Sequence, residues 1–335
     1  MSARVRAVVD PRFSAELARL RRERGMSLRG LARDVFYGKS YLHDLETGRA
    51  QPTGDVARHL DDALRAGGTL AAMVVDTPAV TTRDDDQRLA YVISRPTRLD
   101  ASAVRLLADV LAHQRRLDDA VAASAMLSWA VPQWRTVQDL AVRARGPHAS
   151  GLHAVAAEWT QFVGWLHAEA RNDAEAVRVL VEAGEQADAA DSGPLAAQVE
   201  NFRGYVERQR GNPRGIVRHF LAAFHTPGSS VLQRIGDAAQ AAHGYALLGD
   251  RVAADRLLGE ASDLTTAAGS VPPPSHAYWL TPTFCRMNLG LAYLALGDET
   301  AAADSLRAGL DSLPADQQDA EWTREYRRAL VVAAD

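Results

Sequence analysis

The feature that most constrains this chain is the spacing of its apolar residues. Nearly throughout its 335 residues, apolar side chains recur three and four positions apart, which is the periodicity of an amphipathic helix. The alternation of β-branched and polar residues that marks a half-buried strand persists nowhere. The sequence therefore predicts an all-α protein.

Breaks in this periodicity divide the chain into two predicted domains. The clearest break is the polar stretch 77–86, which contains a proline and ends in three consecutive aspartates. We therefore expect an N-terminal domain at 1–76, a linker at 77–87 and a C-terminal domain at 88–335. Within the second domain, three consecutive prolines at 272–274 predict a loop, because each ring removes a backbone donor.

The charge balance differs between the two parts of the chain. Residues 1–65 carry 13 Lys and Arg against 9 Asp and Glu, a net charge of +4, whereas residues 66–335 carry 25 against 33, a net charge of −8. A basic first part on an acidic remainder indicates an anionic partner for the first part only.

Motifs of common enzyme and metal sites are absent from the sequence. It contains no His-Glu-x-x-His, Gly-x-Gly-x-x-Gly, Walker-type or Gly-x-Ser-x-Gly motif. The single cysteine, Cys285, excludes an intramolecular disulfide and a Cys-rich zinc site. We therefore expect no enzyme activity, no cofactor and no metal. No apolar stretch approaches the roughly 18 residues of a membrane-spanning helix, so we also expect a cytoplasmic protein without membrane contact.

The first domain is predicted to contain five short helices with apolar inner faces. In the third, Leu42 and Leu45 lie one turn apart and point to the core. The helices are expected at about 12–24, from Ser27, at about 39–47, from Pro52, and around Leu70 and Val74.

This order and spacing resemble the lambda-repressor-like helix-turn-helix domains of the Xre family. The resemblance rests on two linked segments, Leu20–Ala32 and Tyr41–Arg49, followed by Pro52. Two positions depart from the family pattern. Leu28 stands where a polar residue that holds DNA is common, and Gly38 stands where Ser or Thr commonly caps the recognition helix. The resemblance implies that the third helix enters the major groove of DNA.

The outer face of the third helix carries side chains that suit contacts with bases. Lys39 can donate to O6 and N7 of guanine, and Ser40 can donate or accept. Arg29 and Arg49 flank the helix pair and suit phosphates. The predicted DNA-binding residues are Arg29, Lys39, Ser40, Tyr41, His43, Asp44 and Arg49.

Several residues of the first domain also fit a purely structural role, and both roles stay open. Arg21 and Glu46 are expected to pair with each other rather than with DNA, as the resemblance implies. Tyr41 alternatively packs on the second helix, and His43 and Asp44 alternatively meet only solvent. Arg4 and Arg6 form either a basic arm or a frayed terminus. A helix-turn-helix fold that binds protein is the alternative for the whole domain.

From residue 88 onward the sequence repeats a pattern of two helices joined by a tight turn. The last copy, Leu289–Pro314, closely resembles a tetratricopeptide repeat. Successive turn positions are 56, 40, 38 and 48 residues apart, all longer than the ~34 of the standard repeat. These turn positions are Arg115, Arg171, Gly211, Gly249 and Gly297. The pattern predicts a degenerate α-solenoid with a concave face.

In such an array the first helix of each pair lines the concave face. Amides such as Asn201 pair with both N–H and C=O groups of an extended peptide, and Arg208 suits a carboxylate. We therefore expect a short peptide or a small anion as effector. Trp165 and Tyr205 alternatively fill the space between neighbouring repeats. The predicted groove residues are Gln161, Trp165, Asn201, Tyr205, Arg208 and His243.

Both parts together resemble actinobacterial regulators with an Xre-type head and tetratricopeptide-like repeats. The 37 arginines against one lysine are typical of GC-rich genomes. More loosely, the architecture resembles the peptide-sensing regulators of Gram-positive bacteria. The resemblance implies a homodimeric transcriptional regulator that binds an inverted-repeat operator in double-stranded DNA. The alternative is a protein–protein interaction scaffold whose head does not bind DNA specifically.

Overall fold

The computed structural model describes residues 5–78, 81–268, 271–273, 277–314, 317–318 and 320–334. Within those residues the chain is almost entirely helical, so the predicted all-α class is confirmed. A short two-stranded sheet is the exception. Among the described helices, none is long and apolar enough to cross a membrane.

The N-terminal part, called the head (residues 5–78), packs four helices around one apolar core. They are α1 (Phe13–Glu23), α2 (Leu28–Asp34), α3 (Lys39–Glu46) and α4 (Gly54–Leu64). Each supplies side chains that are fully buried, among them Phe13, Leu17, Leu31, Leu42, Leu45 and Leu60. Burial of one such side chain contributes roughly 1.5–3 kcal/mol. The predicted cap of α2 is present, since Ser27 Oγ accepts from Gly30 N at 3.1 Å.

A pair of strands that the sequence analysis did not predict joins the two ends of the head. β1 (Val5–Val9) runs antiparallel to β2 (Val74–Pro78). In place of the predicted fifth helix, a 3-10 turn at Ala71–Met73 leads directly into β2. Arg6 therefore lies in a paired strand instead of a free arm, and Arg4 lies outside the described residues. The register pairs Val5 with Pro78, Ala7 with Asp76 and Val9 with Val74.

The predicted linker at 77–87 is largely taken up by regular structure. β2 extends to Pro78, and α5 (Arg83–Ser94) begins inside the predicted linker. Thr82 Oγ1 accepts from Asp85 N at 3.2 Å, and the Asp85 carboxylate accepts from Thr82 N at 2.9 Å. The three aspartates occupy the first turn of α5, where negative charge stabilises a helix. The acidic run therefore starts a helix.

The remaining chain, called the repeat array (residues 83–334), is a succession of helices, most of them in antiparallel pairs. After α5 come α6 (Ala101–Leu117), α7 (Ala123–Arg143), α8 (Ala149–Glu169), α9 (Asp173–Ala189), α10 (Gly193–Gln209), α11 (Pro213–His225), α12 (Val231–Leu247), α13 (Arg251–Ala268), α14 (Pro282–Ala295), α15 (Glu299–Asp311) and α16 (Arg324–Ala334).

Four of the predicted turn positions lie where helix pairs reverse direction. Arg171, Gly211, Gly249 and Gly297 have φ between 61° and 78°, the left-handed conformation that ends a helix. Arg115 was assigned wrongly. It lies inside α6, where its guanidinium is buried and pairs with Glu158 at 2.8 Å.

Close approach of paired helices depends on glycines at their crossing points. A Cβ added to Gly164 would lie 2.7 Å from Leu180, and one added to Gly290 would lie 2.6 Å from Leu306. These distances are below van der Waals contact. A glycine of one helix thus lies opposite a leucine of the next, in α8/α9 and again in α14/α15.

The last segment of the chain returns to the start of the repeat array. Gln317 Nε2 and Trp322 Nε1 donate to the carboxylate of Asp119 at 3.1 and 3.4 Å. Ala123 N donates to Glu321 Oε2 at 3.3 Å. These partners are 198 to 203 residues apart in sequence. The concave face is therefore closed by the chain's own C-terminal segment.

Replacing Gly290 by alanine is expected to destabilise the repeat array by about 1–3 kcal/mol, because the added methyl group overpacks the α14/α15 crossing. Gly259→Ala is the matched control, since an added Cβ at this exposed position of α13 meets nothing within 4 Å. The control should be neutral or gain roughly 0.5–1 kcal/mol of helix propensity. Urea unfolding of the full chain measures both, and equal midpoints for the two variants would contradict the packing argument.

Candidate functional site

A cavity lies inside the repeat array, between the inner helices and the returning C-terminal segment. It holds about 710 Å³ of empty space, including the part open to solvent. Its aromatic lining is Phe162, Trp165, Phe202, Tyr205, Tyr278, Trp279, Phe284, Trp322 and Tyr326. Its polar lining is Arg115, Asp118, Asp119, Gln161, Asn201, Arg208 and Gln240.

Five of the six predicted groove residues line this cavity, namely Gln161, Trp165, Asn201, Tyr205 and Arg208. Most of their polar atoms already have partners in the protein. Trp165 Nε1 donates to Asp118 Oδ2 at 2.7 Å, and Asn201 Nδ2 donates to Asp237 Oδ1 at 2.5 Å. Gln161 Oε1 accepts from Arg115 at 3.3 Å. The expected peptide-pairing amide of Asn201 is thus engaged by a carboxylate.

Arg208 is likewise engaged within the protein. Its side chain is 5% exposed, its Nη2 lies 3.1 Å from the Glu325 carboxylate of α16, and its Nη1 donates to Gln240 Oε1 at 2.5 Å. Its guanidinium also lies 5.3 and 5.8 Å from the ring centres of Tyr205 and Tyr326. Glu325 therefore occupies the place where the sequence analysis expected the carboxylate of an effector.

His243 is the predicted groove residue that does not line the cavity. Burial and the nearby charge of Arg208 lower the pKa of His243 to about 3, so its imidazole is neutral at physiological pH. Its Nδ1 is buried without a hydrogen-bond partner in the described part of the chain. The repeat register placed it on the correct helix but one turn away from the cavity wall.

Acidic side chains lie at the cavity, where Asp118 and Asp119 line the wall and Glu169 does not. Burial, together with the neighbouring Asp119 and Glu321, raises the pKa of Asp118 to about 8. Burial and the same carboxylates raise the pKa of Glu169 well above its ordinary value. Asp118 Oδ1 and both Glu169 carboxylate oxygens are buried without hydrogen-bond partners among the described residues. The sequence analysis missed these acids, because nothing local distinguishes them from solvated helix ends.

The described ranges contain no candidate metal site, since no three His, Cys, Asp or Glu side chains converge there. Cys285 is buried in α14, and burial raises the pKa of its thiol to about 12. A thiol with so high a pKa is a weak nucleophile at neutral pH. The lining of the cavity offers aromatic and polar contacts.

In the head, α3 buries only its inner face. Leu42 and Leu45 are fully buried, whereas Lys39, Ser40 and His43 are exposed. The other predicted residues vary in exposure. Tyr41 is half-buried with its ring 5.8 Å from that of Tyr37, Asp44 lies 3.9 Å from Arg49, and Arg29 and Arg49 are exposed.

The orientation of α3 is set by an ion pair with α1. Arg21 Nε and Nη2 lie 2.5 and 2.9 Å from the two carboxylate oxygens of Glu46, and Arg21 Nη1 donates to the carbonyl of Met26 at 2.8 Å. Both side chains are largely buried, and this contact raises the pKa of Arg21. The structure thus contains the internal pair that the sequence analysis expected, and it connects α1, α3 and the turn before α2.

The family of the head follows from this arrangement together with a sequence comparison. Residues 12–73 match the model of a family described as "Helix-turn-helix domain". These residues form a helix-turn-helix domain. The narrower assignment to the Xre family stays a prediction.

Two further comparisons concern the whole chain. No curated protein sequence matches it. Among solved structures it is similar to that of Bacillus thuringiensis PlcR in complex with the peptide PapR7 and DNA. The two chains share 12% sequence identity and a TM-score of 0.39, over 96% of this chain and 99% of that chain. A similarity of this size carries no argument about function.

Phe36 is an unusual residue of the helix-turn-helix domain that the sequence analysis missed. It lies in the turn between α2 and α3, its side chain is 93% exposed, and its φ is 56°. A bulky residue rarely adopts this left-handed conformation, which favours glycine. The signal in the sequence was an aromatic residue placed just after the apolar face of α2 ends.

The raised pKa of Asp118 predicts a stability that depends on pH. The folded state holds a proton on this carboxyl that the unfolded chain releases near pH 4, so the free energy of unfolding falls as the pH rises from about 4 to about 8. Asp118→Asn should therefore gain stability relative to the parent with rising pH, by at most about 1.4 kcal/mol per pH unit. Asp304→Asn, at an exposed position of α15, is the control. A difference that stays constant between pH 5 and 8 would mean that Asp118 is ionised in the fold.

Replacing Phe36 by glycine is expected to stabilise the helix-turn-helix domain by roughly 1 kcal/mol, because glycine adopts a positive φ without steric cost. Phe36→Ala is the matched control, since it removes the same exposed ring but retains the Cβ that causes the strain. Only the glycine variant should raise the thermal unfolding temperature. Equal gains from both variants would assign the effect to the loss of the exposed ring.

Proposed function

We propose that this protein is a DNA-binding transcriptional regulator in which α3 enters the major groove. The observation that carries the proposal is the outer face of α3, within a domain that matches the helix-turn-helix family. Lys39 and Ser40 at its start and His43 one turn later project from a helix whose other face is locked into the core. Residues at the N-terminal end of this helix contact base edges in such domains.

Each predicted residue has a role in this arrangement. Lys39 donates to a guanine, Ser40 and His43 contact neighbouring base edges, and Asp44 positions Arg49. Neither Lys39 nor Arg29 has an ion-pair partner in the part of the chain that the structure describes, so both charges are available to DNA. Arg29 and Arg49 bind phosphates on either side, and Tyr41 positions α3 through its contact with Tyr37.

Two further features of the turn before α3 suit DNA. Gly38, the N-cap of α3, offers no side-chain acceptor to the first amides of the helix, which leaves them available to a phosphate. The exposed ring of Phe36 precedes them by two residues and suits the methyl group of a thymine. The weakly capped N-terminal end of α3 thus offers backbone N–H donors to a phosphate.

The proposal includes a homodimer that binds an inverted-repeat operator in double-stranded DNA, with half-sites about one helical turn (~10 bp) or a multiple of it apart. The domain division at 1–76, 77–87 and 88–335 belongs to it: the first domain binds DNA, and the repeat array dimerises and senses an effector in its cavity. The regulator acts in the cytoplasm and needs neither cofactor nor catalysis.

Lys39→Ala is expected to weaken binding to the operator by about 1–3 kcal/mol while leaving binding to random DNA nearly unchanged, because a base contact carries sequence information. Mobility shifts of the full chain on the DNA upstream of its own gene, at two salt concentrations, measure both affinities. Arg307→Ala, which removes an exposed positive charge from α15, is the matched control.

The outcomes of this experiment separate the alternatives. Equal losses on operator and random DNA would assign Lys39 to a phosphate. A parent protein that shows no preference for its own upstream DNA over random sequence would contradict the proposal. That result would favour a scaffold whose helix-turn-helix domain contacts protein.

A further inference from the structure

We propose that the cavity of the repeat array binds an organic ammonium ion, with its positive charge beside Asp118 and its apolar body against Trp165 and Tyr205. Binding of this ion does not depend on the proposed function. Only its expected consequence, a change in DNA affinity, rests on that function. It replaces the peptide carboxylate or small anion that the sequence analysis expected with a ligand of opposite charge.

Two buried carboxyls at the cavity lack a cation. Asp118 Oδ2 accepts from Trp165 Nε1 at 2.7 Å, but Oδ1 is buried and has no partner within the described residues. Both oxygens of Glu169, which does not itself line the cavity, are likewise buried without a partner there. An unpaired buried carboxylate is costly, so the raised pKa values keep both groups protonated when no cation is bound, and a bound cation stabilises the ionised form instead.

The arginines around the cavity already have carboxylate or aromatic partners. Arg115 pairs with Glu158 at 2.8 Å, Arg208 with Glu325 at 3.1 Å, and Arg324 with Glu321 at 2.6 Å, while Arg116 lies 3.7 Å from the ring centre of Tyr278. The Nε of Arg208 is buried without an acceptor among the described residues. Asp119 accepts from Tyr278, Gln317 and Trp322. None of these pairs involves Asp118 or Glu169, whose carboxyls are left for a ligand cation to ionise.

An aromatic wall lies next to Asp118. The ring centre of Trp165 lies 4.7 Å from that of Phe202 and 5.0 Å from that of Tyr205, and Phe202 stacks on Trp279 at 6.2 Å. Because the indole of Trp165 donates to Asp118, a cation at Asp118 Oδ1 lies beside this wall. Aromatic faces attract ammonium groups through the negative charge of their π faces.

An independent observation adds a hydrogen-bond acceptor to the ligand. Gln161 lines the cavity and is 1% exposed, and its Nε2 is buried without a partner in the described ranges. This amide donates to a carbonyl or hydroxyl oxygen. The ligand is therefore a small ammonium ion that also carries a neutral oxygen acceptor, because much of the roughly 710 Å³ of empty space is open to solvent.

An anion fits the same cavity poorly. Its counter-charge would be Arg208, whose Nη2 pairs with Glu325 and whose Nη1 donates to Gln240. An incoming carboxylate would have to compete with Glu325 for Arg208, and it would gain no cation from the carboxyls of Asp118 and Glu169. The internal Glu325 already supplies the negative partner that Arg208 requires.

The test is calorimetry on the full chain at pH 7 with three probes that share a phenyl ring. Phenylalaninamide carries an ammonium and a carbonyl, N-acetylphenylalaninamide lacks the charge, and 3-phenylpropanoate carries the opposite charge. We expect phenylalaninamide to bind at least about tenfold more tightly than either other probe. Because this comparison uses the parent protein, it needs no variant to fold. Equal affinities, or tighter binding of 3-phenylpropanoate, overturn the proposal.

Two variants locate the site. Asp118→Asn should lose about tenfold or more in affinity for phenylalaninamide, whereas the exposed Asp304→Asn should bind like the parent. If both variants fold, as judged by circular dichroism, and bind alike, the proposal is wrong. A tetrapeptide, Phe-Gly-Gly-Gly, distinguishes the source of the ammonium. Tighter binding than phenylalaninamide points to a peptide amino terminus, and weaker binding points to a free amine.

Calorimetry requires no DNA, so this inference and the proposed function fail separately. A protein that binds phenylalaninamide but no specific DNA disproves the regulator and leaves the ammonium site standing. A protein that binds its operator but discriminates none of the three probes overturns the ammonium site alone. When both hold, adding phenylalaninamide should shift the operator affinity of the parent, and the same addition should leave Asp118→Asn unchanged.

Discussion

The buried carboxylate of Asp119 is the contact on which the shape of the repeat array depends. It accepts hydrogen bonds from Tyr278 at 2.5 Å, Gln317 at 3.1 Å and Trp322 at 3.4 Å. One side chain at the end of α6 thereby holds two segments from the far end of the chain. Hydrogen bonds to a charged group contribute about 1.5–3 kcal/mol each. Together with the Arg208–Glu325 pair and the Tyr326–Asn288 hydrogen bond, these contacts hold the C-terminal segment over the concave face.

Closure also decides the electrostatics of the cavity. The returning segment brings Glu325 to Arg208 and Glu321 to the neighbourhood of Asp118 and Glu169. The first approach gives the buried arginine a counter-charge, whereas the second helps raise the pKa of two carboxyls that lack partners among the described residues. The arginine is thus paired internally, and the carboxyls are left for an incoming cation to ionise. In the proposed site this difference selects a ligand by the sign of its charge.

The helix-turn-helix domain shows the same division between a fixed and an available surface. The Arg21–Glu46 pair and the buried Leu42 and Leu45 hold α3 in one orientation. Nothing of comparable strength engages Lys39 within the described residues, and the turn before it keeps Phe36 in solvent at a strained φ. Strain of this kind persists only where the surrounding structure enforces it. A rigid frame around an exposed polar face is the arrangement that base recognition requires.

The sequence by itself determined what depends on neighbours three and four residues apart. It predicted the helices and the helix faces that carry Trp165 and Tyr205. The Arg21–Glu46 pair, whose members are 25 residues apart, was expected only from the family resemblance. The helix-turn-helix pattern was legible because its residues lie within one short stretch.

Only the tertiary structure decided what depends on contacts between distant residues. The β1–β2 pair joins the two ends of the head, Arg115 is buried in α6, and Asp119 and Arg208 meet partners that follow them by more than a hundred residues. Periodicity reports which face of a helix is buried, but not which polar group lies opposite that face. The chain's own Glu325 therefore occupies the position where the sequence suggested a ligand, because folding brings α16 to that place.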